Sequence, residues 1–151
     1  MTTVSGIDGL KALVGREWGP GEWLEVTQER IDAFADATDD HQWIHVDVER
    51  ARSGPFKTTI AHGFLTLSLV PRLRRGLGPQ VEGVRMAINY GLNRVRFPSP
   101  VPAGSRVRAR AKNLSVEEVP GGAQLVDQIT VEVEGQEKPA CVAELVTRLY
   151  F

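Results

Sequence analysis

Seven consecutive residues hold most of the reactive side chains of this sequence. Asp39-Asp40-His41-Gln42-Trp43-Ile44-His45 bring together two carboxylates, two imidazoles, an amide and an indole. A carboxylate and an imidazole at the end of one helix can serve as an acid and a base, which is general acid–base chemistry. His41 and His45 also have the i, i+4 spacing of a zinc pair. Gln42 stands where the zinc-protease motif needs its glutamate base, and neither Asp39 nor Asp47 is fixed as a third ligand, so no metal is expected. The three histidines of the chain all lie between positions 41 and 62. A serine nucleophile is not expected, because Ser53 and Ser68 lack the Gly-x-Ser-x-Gly elbow. Cys141 sits in an alternating apolar run and reads as a small core residue.

A second feature is Thr58-Thr59-Ile60-Ala61-His62-Gly63-Phe64. A glycine at the entrance of an apolar helix lets a ligand approach the backbone closely. The first amides of a helix have no partner within it, so they can stabilise an oxygen on which negative charge develops. The combination is an acid, a base and, about twenty residues on, an oxyanion donor.

These residues must be positioned by larger elements. Thr27 is expected to cap a helix over the segment ending at Asp39-Asp40, with Ile31, Phe34, Ala35 and Thr38 recurring at helical spacing. A second helix, apolar on most sides through Phe64, Leu65, Leu67, Leu69, Val70 and Leu73, is expected from His62-Gly63 to Gly76. Pro71 should kink it or thin its hydrogen-bond ladder. From Val84 the period changes to two. Val107, Ala109 and Ala111 alternate with basic residues, and Ile129, Val131 and Val133 alternate with polar ones. Pro120-Gly121-Gly122 and Gly135-Gln136-Glu137 mark turns, and a last strand covers Ala140 to Phe151. Long strands joined by short turns pair antiparallel. The expectation is an α+β fold: one apolar helix wrapped by a curved antiparallel sheet, in a single domain spanning 1–151.

Composition narrows the function classes. A net charge of −1, with 25% charged and 42% hydrophobic residues, is that of an ordinary globular protein without the basic excess of a nucleic-acid binder. One cysteine rules out an internal disulfide and a thiolate metal cluster and fits a reducing compartment. The N-terminus is too polar for a signal-peptide core, and no apolar run approaches the ~18–20 residues of a membrane span. A cytoplasmic protein without membrane or nucleic-acid partners is expected.

Asp40 to His45, then Ile60 to Thr66, then Val95-Arg96-Phe97-Pro98-Ser99-Pro100-Val101-Pro102-Ala103-Gly104-Ser105 form an ordered set. From roughly Trp18 to the C-terminus the sequence resembles the MaoC-like (R)-specific enoyl-CoA hydratase family of the hotdog superfamily. The resemblance implies the hotdog fold, a homodimer, no cofactor, and reversible hydration of a trans-2-enoyl-CoA thioester to the (3R)-hydroxyacyl thioester. It makes Asp40 and His45 the acid–base pair and the Gly63 amide the oxyanion donor. The family pattern is Gly-Asp-x-Asn-Pro-Ile/Leu-His, and this chain departs from it at Asp39, Gln42 and Trp43. Asp39 can occupy a left-handed turn. Gln42 keeps an amide and Trp43 sets a large ring beside the site, so both are counted with the substrate contacts. His62 is expected to border the oxyanion glycine, and His41 to be exposed. Arg94, Arg96 and Lys57 are the cationic candidates for the CoA phosphates. The runner-up activity is that of a (3R)-hydroxyacyl dehydratase acting on an acyl carrier protein; a non-catalytic acyl-CoA-binding subunit is the rival from outside enzymes.

Overall fold

The computed structural model describes residues 1–151. Its sheet elements are β1 (Thr3–Ser5), β2 (Glu17–Trp18), β3 (Leu24–Glu25), β4 (Gln80–Glu82), β5 (Met86–Arg96), β6 (Arg106–Val119), β7 (Gly122–Val133) and β8 (Cys141–Tyr150). The helices are α1 (Gly6–Lys11), α2 (Gln28–Thr38), α3 (Trp43–Val46), α4 (Val48–Arg52), α5 (Gly63–Ser68) and α6 (Val70–Leu73). The six-stranded antiparallel sheet runs β2-β6-β7-β8-β5, with β3 also on β6, while β1 and β4 form a separate parallel pair. This is the expected α+β hotdog arrangement.

Alternation decides which face of the sheet meets the helix. Val107, Ala109 and Ala111 on β6, Ile129, Val131 and Val133 on β7, and Cys141, Ala143 and Leu145 on β8 are all buried, in one cluster with Leu65, Leu69, Val70 and Leu73 of the central helical run. The intervening polar residues face outward and pair across the strands. Arg106 bonds Glu134 at 2.5 Å, while Arg108 and Arg110 both reach Glu132, at 2.7 and 2.5 Å. Those basic residues are therefore neutralised by their neighbours, as a solvated sheet face should be. At Gly122 the backbone of the next strand comes so close that a Cβ would stand 1.9 Å from the Leu149 carbonyl oxygen, so only glycine fits. Cys141 is fully buried, and burial pushes its thiol up to about 11.

The structure revises the expected elements in three places. The apolar helix is two short pieces, α5 and α6, broken at Leu69. Pro71 has no N–H to donate and so removes one bond of the ladder there. Phe64, expected on its buried surface, is 69% exposed. The N-terminal elements β1 and α1 had no expected counterpart; too short to show a period, they are held by contact with β4 and with β6 through Leu10 and Val116. No helix of the structure is long and apolar enough to cross a membrane.

Candidate active site

Thr27 starts α2 as expected, its hydroxyl accepting the Arg30 amide at 3.1 Å, and Ile31 and Ala35 fasten the helix to the core. The helix ends at Asp39 with φ 57°, a left-handed position that an aspartate tolerates. The chain then reverses, and Asp40 Oδ1 accepts the Gln42 amide at 3.4 Å across the turn. One turn of helix, α3, carries His45 inward, where it is 6% exposed. The segment from Thr59 to Ala61 is sewn to both sides. The Ile60 amide donates to the Ile44 carbonyl, the Ala61 amide to Val101 and the Ala103 amide to Thr59, all at 2.8–3.0 Å. The turn carrying Asp40 and His45, the start of α5 and the proline-rich loop before β6 are thereby one backbone-bonded assembly.

Hydrogen bonding assigns the ring protons. His45 Nδ1 lies 2.7 Å from the Ile60 carbonyl, and a carbonyl only accepts, so Nδ1 carries the proton and Nε2 keeps its lone pair. His62 Nε2 lies 2.9 Å from the Asp40 backbone carbonyl and therefore donates to it, which leaves Nδ1 as the bare nitrogen. That buried Nδ1 has no protein partner. The two rings stack at 3.8 Å between centroids and 21° between planes. Burial lowers the His45 pKa from 6.5, partly opposed by the bond to Ile60 and reinforced by His62, so its neutral form, a base, persists into mild acid.

The Asp40 carboxylate, His45 and His62 each offer an atom within 4.8 Å of the others. Three such groups suggest a metal, but the stacking argues against it. Imidazole lone pairs lie in the ring plane, and an ion ~2.0–2.1 Å from both nitrogens would have to lie in two nearly parallel planes at once. The arrangement suits a water held by Asp40 and the lone pair of His45. Asp40 is half exposed and so opens this point to an arriving substrate.

Gly63 is the first residue of α5, and its amide has no partner within the helix. A Cβ at Gly63 would press to 3.2 Å on the Phe97 ring. Beside it runs a groove of about 270 Å³ whose lining includes His45, Gly63, Thr66, Phe56, Phe97 and Val101. His45 and the oxyanion candidate thus share one apolar groove.

Other candidates fall elsewhere. His41 turns away and bonds the Asp36 carboxylate at 2.8 Å, a contact that raises its pKa. Trp43, expected to reshape the acyl pocket, packs on Gly54 with the Arg50 guanidinium 4.3 Å from its ring, because α4 folds directly back over it. Gln42 is exposed, and its backbone amide rather than its side chain serves the site. Lys57 is exposed with a left-handed backbone. Arg94 and Arg96 are exposed on β5, on either side of Val95, which packs on the core, so their side chains project from the opposite face.

Sequence reading missed a supporting residue. Gln28 Nε2 donates to the His45 carbonyl at 2.7 Å and to Asp32 at 2.8 Å, while Gln28 Oε1 accepts the buried Thr59 hydroxyl at 2.5 Å. One amide thus links α2, the His45 turn and the segment leading to Gly63. A glutamine one residue after a helix cap carries no sequence signal for such a role.

Comparison with known proteins gives this geometry its context. The model of the MaoC like domain matches residues 10–136. The chain belongs to the MaoC-like dehydratase family. The 3-hydroxyacyl-thioester dehydratase Z of Mycobacterium tuberculosis is 56% identical over 149 residues, covering 98% of each chain. Among solved structures, the MaoC-like dehydratase from Rhodospirillum rubrum superposes with a TM-score of 0.73 at 21% identity, covering 91% of this chain and 92% of that one. The (R)-hydratase from A. caviae involved in PHA biosynthesis gives 0.68 at 25% identity, covering 90% and 96%.

Proposed function

We propose that this protein is an (R)-specific enoyl-CoA hydratase, adding water reversibly to a trans-2-enoyl thioester to give the (3R)-hydroxyacyl thioester. The observation that carries the reading is the pairing of the Asp40 carboxylate with the unprotonated Nε2 of His45 beside the free amide of Gly63. Family membership and the likeness to a 3-hydroxyacyl-thioester dehydratase support the reaction class, which is the same chemistry in the reverse direction.

Asp40 and His45 hold one water. As its oxygen bonds C3, a proton passes to the pair, the C2–C3 π electrons move toward the thioester, and a proton from the pair reaches C2. Negative charge collects on the thioester oxygen, where the Gly63 amide donates. One such donor typically contributes ~2.7–4 kcal/mol to the transition state, and a positioned acid or base ~10²–10⁴-fold. No step calls for a cofactor.

The whole chain acts as one domain in this reading and assembles as a homodimer. Strand β5 supports that assembly: it is the sheet edge, and Met86, Ile88, Tyr90 and Leu92 along it are 40–56% exposed. A long apolar edge strand needs a partner to avoid uncontrolled pairing. Lys57, Arg94 and Arg96, all exposed though outside the His45 groove, are the cations assigned to the CoA phosphates in this reading.

The test is turnover of crotonyl-CoA, followed by loss of enoyl thioester absorbance, in folded Asp40→Asn and His45→Gln. Each should lose at least ~100-fold. Near wild-type turnover in both would sink the assignment, and release of free thiol would point to a thioesterase.

A further inference from the structure

Six buried side chains are polar or charged, and the fold supplies partners for five of them. His45 bonds the Ile60 carbonyl, Thr59 bonds Gln28, and His62 bonds the Asp40 carbonyl. Asp127 takes both Asn113 Nδ2 and Arg74 Nη2, at 2.9 and 2.7 Å. Thr66 is the exception. It is 3% exposed, yet its hydroxyl makes no hydrogen bond within the protein. Ser68 on the same helix and Thr38 on α2 return theirs to the carbonyl four residues back, at 2.6 and 2.7 Å.

Nor is the Thr66 hydroxyl sealed. The unpartnered atoms closed off from any water-sized group are His62 Nδ1, Asn113 Oδ1 and Thr147 Oγ1, and Thr66 Oγ1 is not among them. Thr66 lines the His45 groove, so the opening left to its hydroxyl is into that groove. Around it stand Ile60, Ala61, Phe97 and Val101, whose side chains have nothing to bond it with. A polar group buried this far without a partner costs stability, unless what enters the groove bonds it.

Thr66 lies three residues after Gly63 on α5, on the same face, and residues so spaced stand ~5–6 Å apart. Helical side chains lean toward the N-terminus, so Thr66 covers the turn that begins with Gly63. Two hydrogen bonds of ~2.9 Å meeting at one oxygen bridge such a gap. We propose that the Thr66 hydroxyl donates a second hydrogen bond to the thioester oxygen of the substrate, beside the Gly63 amide; the proposal rests on the hydratase reading. A carbonyl oxygen has two lone pairs, one for each donor. The hydroxyl keeps its proton throughout. As water adds at C3, the C2–C3 π electrons load the thioester oxygen with negative charge, and both bonds strengthen against it. A hydrogen bond to an ionised acceptor is roughly twice as strong as one to a neutral acceptor. Thr66 therefore favours the enolate over the bound substrate and acts on rate more than on binding. In that role it is a catalytic residue.

Thr66→Val keeps the shape and removes the hydroxyl, and Thr66→Ser puts one back. Thr66→Val should lower kcat for crotonyl-CoA about 10- to 100-fold with KM within about threefold, and Thr66→Ser should recover most of the loss. Tm should hold or rise in Thr66→Val, because the hydroxyl has no protein partner to lose. The decisive readout is the infrared carbonyl stretch of bound butyryl-CoA labelled with ¹³C at its carbonyl, a saturated thioester that cannot be hydrated. Each donor on the oxygen lowers this frequency, so the band should rise in Thr66→Val and return in Thr66→Ser. Wild-type kcat in Thr66→Val would overturn the proposal. So would a reduced kcat with an unmoved band, which would place the hydroxyl on the attacking water instead. Wild-type protein inert to every enoyl-CoA tried would sink the hydratase reading, and the butyryl-CoA band would then decide the Thr66 contact by itself.

Discussion

His62 is where function and stability pull apart, and replacing it with phenylalanine measures the difference. The phenyl ring keeps a flat face for the stack on His45, now 3.8 Å between centroids, and loses the Nε2–H that bonds the Asp40 carbonyl at 2.9 Å. A neutral hydrogen bond contributes ~0.5–1.5 kcal/mol. If that bond positions the turn carrying Asp40 for the transition state, kcat/KM falls about 2- to 12-fold, since ~1.4 kcal/mol is tenfold. Stability should move the other way. Phenylalanine removes Nδ1, a buried nitrogen without a partner, and an unsatisfied buried polar atom costs ~1–3 kcal/mol. The Asp40 carbonyl released by the change lies on an exposed turn where water can reach it. His62→Phe should therefore hold or raise Tm, by ~2–4 °C per kcal/mol for a chain of this size, while slowing hydration of crotonyl-CoA. His62→Gln, which retains an N–H donor, should recover more of the rate than His62→Phe does. Wild-type kcat/KM in the Phe variant, or a Gln variant slower than the Phe variant, would refute the positioning argument; a lowered Tm in His62→Phe would refute the stability argument.

Further outcomes follow from other contacts. Gly63→Ala pushes a methyl to 3.2 Å of the Phe97 ring and should cut kcat by tenfold or more through displacement of the amide proposed as oxyanion donor, measured beside an unchanged far-UV spectrum. Gln28→Leu leaves the Thr59 hydroxyl and the His45 carbonyl without their partner and should lower unfolding free energy by ~1–3 kcal/mol in a denaturant titration, with a loss of activity. The folded-state pKa of His45 lies below 6.5, so beneath that pH the unfolded chain takes up a proton that the native site resists. Its contribution should leave stability flat above about 6.5 and falling below it, and the acid limb of kcat/KM should likewise sit below 6.5. Cys141, with its thiol pushed up to about 11 and fully buried, should resist alkylation at pH 8 in the native protein and react once the chain is unfolded.

Much of the fold was legible because it rests on local periodicity. The alternation of Val107, Ala109 and Ala111 and of Ile129, Val131 and Val133 assigns the inner sheet face, and Thr27 marks the start of α2, because strand phase and helix capping are properties of neighbouring residues. Asp40, His45 and Gly63 were also legible as candidates, from residue type and order. The inward phase of Asn113 and Asp127 was present in the same alternation, as polar residues in register with valines and alanines, and only went unread.

What the tertiary structure alone decided is what each side chain faces. Trp43 turned from the expected pocket toward Gly54 because α4 packs back on it, and His62 became a stacked partner of His45 because segments seventeen residues apart meet through the Ile44–Ile60 backbone bond. Gln28 joined the site across a still longer span, through the Thr59 hydroxyl. Sequence determines the local menu of elements, and the reactive residues carry their chemistry with them. Which lone pair is free, which amide has no acceptor and which polar atom is left buried without a partner depend on contacts between distant segments, and those exist only once the chain has closed on its core.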